Sequence, residues 1–149
     1  MTAARDLSSD VGAYVAFYET LTPDSIERLE ALCAPGVRFR DPFNEVTGIP
    51  AYRAILQHMF KQVSSPRFQV VDWAQTGSKA YLRWTFTFSQ RKGAAPWVIE
   101  GMSEVHFDEQ GRVCAHLDHW DSGNQFYARL PLLGRLIELI RKRLSVAVL

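Results

Sequence analysis

The sequence is short of net charge, of cysteine and of long apolar runs. Its 149 residues include 17 Lys and Arg and 16 Asp and Glu, which gives a formal net charge of +1. Such a balance gives no electrostatic case for a nucleic acid partner, for which a basic patch or stripe would be expected. No segment approaches the roughly 20 apolar residues that a membrane-spanning helix needs. What remains is the composition of an ordinary globular protein, 47% apolar and 22% charged.

Three further absences narrow the function. The first ten residues, MTAARDLSSD, hold no apolar core of signal-peptide length, so we expect a cytoplasmic protein. Cys33 and Cys114 match no metal-binding or redox spacing and should stay reduced. The sequence also lacks a glycine-rich phosphate loop and a nucleophile elbow, which argues against phosphate binding and against nucleophilic catalysis by serine or cysteine.

The N-terminal part has helical patterning. Ser8-Ser9-Asp10 supplies N-cap side chains for a first helix that should run to about Thr20. Thr22-Pro23-Asp24 starts a second helix, which Pro35-Gly36 should stop. Gly48-Ile49-Pro50 opens a third. The pattern therefore predicts three helices before any extended sheet.

From Pro66 onward the apolar pattern alternates with a period of two. It predicts four strands, at Arg67–Gln75, Lys79–Ser89, Trp97–Phe107 and Arg112–Asp121. Because short turns join them, neighbouring strands should be antiparallel. With a short earlier strand at Val37–Asp41, this order predicts an α+β fold whose helices pack on one face of the sheet. The interior of the sheet should carry Leu82, Trp84, Phe86, Ile99 and Val105.

The last strand holds the residues that most need a functional explanation. Side chains alternate along a strand, so Cys114, His116, Asp118 and Trp120 share one face. Asp is rare in strands and costly to bury without a partner. Two interpretations stay open. The face is solvated, or it is a pocket wall where Asp118 and His116 exchange protons with a ligand and Trp120 packs against it.

The tail, Leu130–Leu149, predicts a last helix with one apolar and one basic arc. Such a helix can lie on a membrane surface. More often it covers a sheet edge or a partner subunit, and we expect no membrane association. The outer sheet face, with Tyr81, Met102 and Leu117, is apolar too, so we expect a homodimer. The chain should be a single domain, 1–149, with its core at about 10–121 and a helical extension at 122–149.

The element order and two local motifs resemble the nuclear transport factor 2-like superfamily and its SnoaL-like domain. The motifs are Phe39-Arg40-Asp41-Pro42-Phe43 with Gly48 behind it, and Gly111-Arg112-Val113 entering the last strand. The resemblance implies a cone-shaped fold, with a curved antiparallel sheet packed on N-terminal helices and an added C-terminal helix. SnoaL-like members include polyketide cyclases, and ketosteroid isomerases share the fold. A small-molecule ligand in the cone, no cofactor and pairing through the sheet are implied as well.

Residue by residue, the resemblance implies roles for four positions. Asp41 falls where ketosteroid isomerases have their general base, and Tyr14 falls where they have the oxyanion-hole phenol. Ser103 stands where those enzymes keep a protonated Asp, a departure that argues against steroid isomerisation. The resemblance turns His116 and Asp118 of the last strand inward. Ketosteroid isomerases have apolar residues at these two positions. SnoaL-like cyclases use an acid/base Asp in the cone, which fits Asp118 at least as well as Asp41.

Several candidates also have a purely structural explanation. Asp41 before a proline is typical of a turn. Tyr14, Trp84 and Phe86 fit core positions, and His58 fits the rim of the cone better than its interior. A metal site is a further alternative, because the His116-x-Asp118 sequence is half of a two-His-one-carboxylate site.

The third metal ligand would have to be His58 or His106, since no His follows His119 and His119 points to the opposite strand face. His106, however, falls on the outer face of its predicted strand. We therefore expect no metal.

The sequence thus predicts a SnoaL-like protein that binds a small, mostly apolar organic molecule. If it is an enzyme, it should use cofactor-free proton abstraction beside a carbonyl, leading to isomerisation, cyclisation, dehydration or hydrolysis. Asp118 or Asp41 would be the base, His116 its partner and Tyr14 an oxyanion donor. The predicted substrate contacts are Trp120, Ser103, Trp84, Phe86 and His58. The alternative is a non-catalytic ligand-binding or protein-association module.

Overall fold

The structure, a computed structural model, describes residues 5–146 and divides the chain into two compact units. The first unit extends to His119 and the second starts at Trp120. The helices of the first unit are α1 (Ser8–Glu19), α2 (Leu29–Leu32) and α3 (Ile49–Gln62). Its strands are β1 (Cys33–Arg40), β2 (Glu45–Thr47), β3 (Ser64–Thr76), β4 (Lys79–Ser89), β5 (Pro96–Phe107) and β6 (Val113–His119). The second unit contains α4 (Ser122–Gln125) and α5 (Pro131–Leu144), and short 3-10 helices cover Asp24–Arg28 and Tyr127–Arg129.

The six strands form one sheet in the order β2-β1-β6-β5-β4-β3. The predicted meander is confirmed, because β3 to β6 pair with their sequence neighbours in antiparallel fashion. One pairing differs from the prediction of an antiparallel sheet: β1 lies parallel to β6. The chain between them contains α3 and the rest of the meander, which is long enough to bring β6 back in the direction of β1. The sheet is therefore mixed, and the α+β class is confirmed.

The second predicted helix is shorter than expected. The 3-10 helix Asp24–Arg28 runs into α2, and β1 already starts at Cys33. Pro35 and Gly36, predicted to stop a helix, lie inside β1 instead. There the β1–β6 register shifts between Cys33 and Arg38. Proline has no N–H to donate to a regular ladder, so an irregular stretch is where a strand accepts it.

Burial in the sheet follows the predicted alternation. Leu82, Trp84, Ile99 and Val105 are buried, which confirms their interior positions. The fifth predicted core residue, Phe86, is only half-buried. On the opposite face, Val98 and Met102 are exposed. Helix α1 contributes four buried side chains to the first unit, Val11, Tyr14, Phe17 and Tyr18.

The second unit is helical, as predicted for the tail. Asp121 caps α4, since its Oδ1 accepts a hydrogen bond from the backbone N–H of Asn124 at 3.0 Å. The predicted tail helix corresponds to α5, which ends at Leu144. Its predicted end at Leu149 lies outside the described residues. Between residues 5 and 146, no helix is long and apolar enough to cross a membrane.

Candidate functional site

A buried hydrogen-bonded network centres on His116 of β6, which is 3% exposed. Its Nε2 lies 2.7 Å from Oδ1 of Asp118, two residues further along the same strand face. Its Nδ1 lies 2.7 Å from the hydroxyl of Tyr14 on α1. The two polar residues of the last strand therefore contact each other directly, and Tyr14 joins them from the helix.

Two more tyrosines extend the network on the helical side. The Tyr14 hydroxyl lies 2.7 Å from that of Tyr52 on α3, and Tyr52 is hydrogen-bonded in turn to Tyr18 of α1. Tyr14 and Tyr18 are four residues apart, so they project from the same side of α1. Burial raises the pKa of all three phenols well above its usual value. They are therefore neutral hydroxyls at neutral pH.

Two side chains hold Asp118 from the sheet side. Ser103 on β5 is its cross-strand partner, and the Ser103 hydroxyl donates to Asp118 Oδ1 at 2.5 Å. Ser103 accepts in turn from the indole N–H of Trp84 on β4 at 2.8 Å. The Asp118 side chain keeps 17% of its surface exposed. In the part of the chain that the structure describes, no hydrogen bond uses Asp118 Oδ2.

The network has two arms that meet at Asp118. The helical arm consists of His116, Tyr14, Tyr52 and Tyr18, and the sheet arm consists of Ser103 and Trp84. Donors can be assigned along the helical arm from the network itself. When Asp118 is ionised and His116 is neutral, Nε2–H of His116 donates to the carboxylate. Of the two hydroxyls near Nδ1, that of Tyr14 is the nearer, at 2.7 Å against 3.3 Å for Tyr52, so we assign Tyr14 as the donor. The Tyr14 oxygen then accepts from Tyr52, and Tyr52 accepts from Tyr18. The helical arm and the sheet arm thus donate to the same oxygen of Asp118. Each hydroxyl and ring N–H that donates in the two arms has an acceptor.

Aromatic rings adjoin the network along the inner sheet face. Phe68 on β3 stacks on Phe86, with ring centroids 4.3 Å apart and an interplanar angle of 16°. Phe86 stacks on Phe88 at 5.0 Å, and Trp84 meets Phe68 edge-on at 6.4 Å. We call these four residues the aromatic strip. Trp84 belongs to both features, because its ring packs in the strip while its N–H holds Ser103.

Asp41 lies apart from the network, in the turn between β1 and β2. Its Oδ1 accepts the backbone N–H groups of Phe43 at 2.7 Å and Asn44 at 2.6 Å, and its Oδ2 is 3.2 Å from the Asn44 amide nitrogen. These are the hydrogen bonds of a turn-forming Asp. Within residues 5–146, no hydrogen bond connects Asp41 to His116 or Asp118.

The structure does not bring the other candidates to the network. His58 is exposed on α3, and His106 pairs with Glu104 at 2.6 Å on the opposite sheet face. Among the described residues, no group of three or more His, Cys, Asp or Glu side chains could hold a metal ion. Trp120 is the first residue of the second unit, so its place beside Asp118 stays a prediction.

Sequence reasoning missed two members of the network, Tyr18 and Tyr52, because both fit apolar helix faces. A signal for them was present. Buried tyrosine hydroxyls usually need a partner. Tyr14 and Tyr18 lie at apolar helical spacing in the first predicted helix, and Tyr52 lies among the apolar residues of the third. Counting hydroxyls that would have to be satisfied inside would have grouped Tyr14, Tyr18 and Tyr52.

Comparisons with known proteins agree with this architecture. The sequence profile of the SnoaL-like domain matches residues 14–116. Among curated proteins, none is significantly similar in sequence. A similar solved structure is an LEH-like epoxide hydrolase from M. tuberculosis, with a TM-score of 0.66, 15% identity and coverage of 99% of both chains.

Two further structures show the same fold. An NTF2-like protein of unknown function from Burkholderia pseudomallei has a TM-score of 0.67 and 17% identity, covering 89% of this chain and 98% of its own. A protein with a ketosteroid isomerase-like fold from Catenulispora acidiphila, in complex with trimethylamine, has a TM-score of 0.70 and 12% identity, covering 83% and 95%. Because the profile match spans more than half of the sequence, the chain belongs to the SnoaL-like domain family.

Proposed function

We propose that the first unit binds a small, mostly apolar organic molecule beside the aromatic strip and acts on it by cofactor-free acid/base chemistry, with Asp118 as the base. The observation that carries the proposal is the asymmetry of the Asp118 carboxylate. Its Oδ1 accepts from both His116 and Ser103, whereas no described residue bonds to Oδ2 and the side chain is 17% exposed. A fixed carboxylate with one accessible oxygen has the arrangement that a general base needs.

The network supports this role by holding Asp118 in place. Hydrogen bonds to a charged group contribute about 1.5–3 kcal/mol each, so the bonds from His116 and Ser103 fix the orientation of the Asp118 carboxylate. A base that is already oriented does not have to be ordered during the reaction. When Oδ2 takes a proton, the carboxyl group becomes neutral and Oδ1 stays in contact with Nε2 of His116.

The aromatic strip indicates the class of ligand. Phe68 and Phe86 are only half-buried, so part of their ring surface is accessible on the same sheet face as Asp118. Ligand sites of this kind combine apolar and aromatic walls with a few fixed polar groups. A carbonyl compound with a hydrophobic skeleton fits this arrangement, with an acidic C–H directed at Asp118 and its apolar part against the rings.

The bonding of Asp41 and Tyr14 modifies the roles predicted for them. Both oxygens of Asp41 are occupied by the turn, so Asp118 is the better base. The proton of Tyr14 is engaged by His116 Nδ1, so we assign Tyr14 the task of holding the His116 tautomer. The oxyanion role expected from the resemblance would require that hydroxyl to leave His116 and turn to the substrate.

Solvent exchange tests the proposal without knowledge of the natural product. A panel of cyclic and aromatic ketones is incubated with the protein in deuterium oxide, and deuterium beside the carbonyl is followed by mass spectrometry. We expect catalysed exchange with at least one ketone, and a loss of more than about 100-fold in Asp118→Asn, because general-base catalysis typically contributes 10²–10⁴-fold.

Asp41→Asn is the matched control, since it makes the same change in the turn and should keep the exchange rate within a few fold. Ketone binding is followed separately through tryptophan fluorescence. If ketones bind to the wild-type chain and none exchanges, the non-catalytic ligand-binding module becomes the better description. Loss of exchange in Asp41→Asn but not in Asp118→Asn would assign the base to Asp41.

Epoxide hydrolysis is a second candidate. The epoxide hydrolase-like structure from M. tuberculosis aligns with 99% of this chain, which includes the C-terminal unit. Asp118 Oδ2 would then take a proton from water as the water oxygen attacks an epoxide carbon. The bond from that carbon to the epoxide oxygen breaks, the resulting alkoxide takes a proton from solvent to give a diol, and Asp118 returns its proton to solvent. Diol formation from apolar epoxides in ¹⁸O-labelled water would show one labelled hydroxyl per turnover. No label, or activity that survives Asp118→Asn, would exclude this candidate.

A further inference from the structure

Helix α5 presents a broad apolar arc that the rest of its unit leaves exposed. At 3.6 residues per turn the arc spans about 160°. Leu132 is 82% exposed, Leu136 53%, Leu139 60% and Leu144 80%. The sequence favours a sheet edge or a partner subunit as the cover for this arc. The observed exposure reopens the question of what covers it.

Contacts inside the second unit lie on the other side of α5. Gly134, which is outside the apolar arc, packs so closely on Ala128 that a Cβ at this position would overlap the Ala128 carbonyl oxygen. The absence of a side chain at Gly134 therefore lets the preceding turn approach the helix there. The unit's own packing consequently uses the glycine side and turns the leucines outward.

The charges of α5 are arranged around the apolar arc. Arg135 and Lys142 flank one edge and Arg141 flanks the other, while Arg143 lies within the arc near the end of the helix. The acidic residue Glu138 lies opposite the centre of the arc and pairs with Arg141 at 3.2 Å. Cations that flank an apolar face can extend to a charged boundary while their stems cover apolar surface.

This pattern distinguishes two possible occupants. In a pair of α5 helices from two copies of the chain, the arginines and lysines at the edges would face like charges, and Glu138 is on the wrong side to compensate them. An anionic surface of lipid headgroups meets cations on both edges instead. The helix has 14 residues, about 21 Å of length, so it can lie on a bilayer surface but cannot span the roughly 30 Å hydrocarbon core.

We propose that α5 docks the protein on anionic lipid surfaces, with its leucines in the headgroup–acyl boundary and its cations among the headgroups. This is independent of the proposed function, because no member of the buried network lies on α5. The full chain is tested by co-sedimentation with vesicles of phosphatidylglycerol and phosphatidylcholine, against vesicles of phosphatidylcholine alone. We expect binding to the anionic vesicles that weakens as salt is raised.

A paired set of neutralisations tests the geometry. Arg135→Gln with Lys142→Gln should lower the partition coefficient about 30-fold, since each cation near an anionic membrane contributes about 1 kcal/mol, converted at about 1.4 kcal/mol per factor of ten. Arg91→Gln with Lys92→Gln removes the same charge from the exposed turn between β4 and β5 and should leave binding nearly unchanged.

The apolar contribution is measured with Leu136→Gln and Leu139→Gln, which should weaken vesicle binding while leaving its salt dependence intact. Equal losses in the Arg135 and Arg91 pairs would mean that net charge alone drives binding, and would overturn the proposal. So would equal binding to neutral vesicles. A chain that ignores vesicles but loses a dimer on Leu136→Gln and Leu139→Gln would identify the occupant as a second copy.

Discussion

Replacing Tyr52 by phenylalanine tests whether the buried network stabilises the fold as well as the site. The substitution removes one hydroxyl and keeps the ring, which is 0% exposed. Tyr14 retains His116 as a partner. Tyr18 loses its hydrogen bond, because the Tyr52 hydroxyl is its hydrogen-bond partner among the described residues. The change therefore leaves a buried phenol with an unsatisfied hydroxyl.

The expected cost follows from that difference. A buried polar group left without a partner costs about 1–3 kcal/mol, whereas a satisfied hydrogen bond contributes about 0.5–1.5 kcal/mol. Tyr52→Phe should therefore lower the free energy of unfolding by roughly 1–3 kcal/mol. Tyr18→Phe removes the last hydroxyl of the hydrogen-bonded series and leaves Tyr52 bonded to Tyr14. It should therefore cost about 1 kcal/mol or less. The structure therefore predicts that Tyr52→Phe lowers the free energy of unfolding more than Tyr18→Phe does.

Urea denaturation measures that order, through the transition midpoint at an unchanged slope. Tyr81→Phe is the matched control, because Tyr81 lies on the outer sheet face and its hydroxyl makes no hydrogen bond with any residue in the described range; it should change stability by less than about 0.5 kcal/mol. Equal costs for Tyr52→Phe and Tyr81→Phe, or a larger cost for Tyr18→Phe than for Tyr52→Phe, would refute the chain of hydrogen bonds.

Two other predictions concern the whole molecule. Burial raises the pKa of Tyr14, Tyr18 and Tyr52, so their contribution to stability is complete below the pKa of an unfolded tyrosine, about 10, and is lost as the pH rises above it. Their ultraviolet titration to tyrosinate should coincide with alkaline unfolding by circular dichroism, and ionisation of these phenols in the folded protein would contradict it. Sedimentation at micromolar concentration without lipid should show about twice 17.0 kDa, because Met102 exposes apolar surface on the outer sheet face; a monomer would reject the homodimer.

The elements that sequence reasoning identified well are those whose pattern is local. Alternation over β4 and β5 fixed which side chains face inward, since a shift of one residue would turn every apolar side chain to water. The start of α3 was readable from Gly48 and Pro50. Pro35 and Gly36 misled the prediction because both a helix end and an irregular strand tolerate them, and only the pairing of β1 with β6 separates the two cases. That pairing joins residues far apart in sequence, which no local pattern records.

The residues of the candidate site also differ in whether a local sequence pattern identifies them. His116 and Asp118 could be predicted as a pair because they lie two residues apart on one strand. Tyr52 could not, because its contact with Tyr14 depends on how α3 packs beside α1. Ser103 was noted for what it lacks, the carboxylate that the resemblance leads one to expect. Its bond to Asp118 depends on the register of β5 against β6, which the turn between them sets.

The register of β5 against β6 explains why a serine at position 103 contacts Asp118. Ser103 and Asp118 are direct cross-strand partners, and such pairs have Cβ atoms about 4.5–5.5 Å apart. Relative to the ketosteroid isomerase pattern that the sequence resembles, the chain has a hydroxyl on β5 and a carboxylate on β6, where that pattern has a carboxylate and an apolar residue. The acidic group is thus displaced by one strand, and the serine that replaces it hydrogen-bonds to it. A carboxylate so placed also meets His116, which the isomerase pattern does not offer, and the pair then connects to the tyrosines of α1 and α3. The departures at Ser103, His116 and Asp118 are therefore connected by direct hydrogen bonds, and this connection is the reason why we propose Asp118 as the acid/base group.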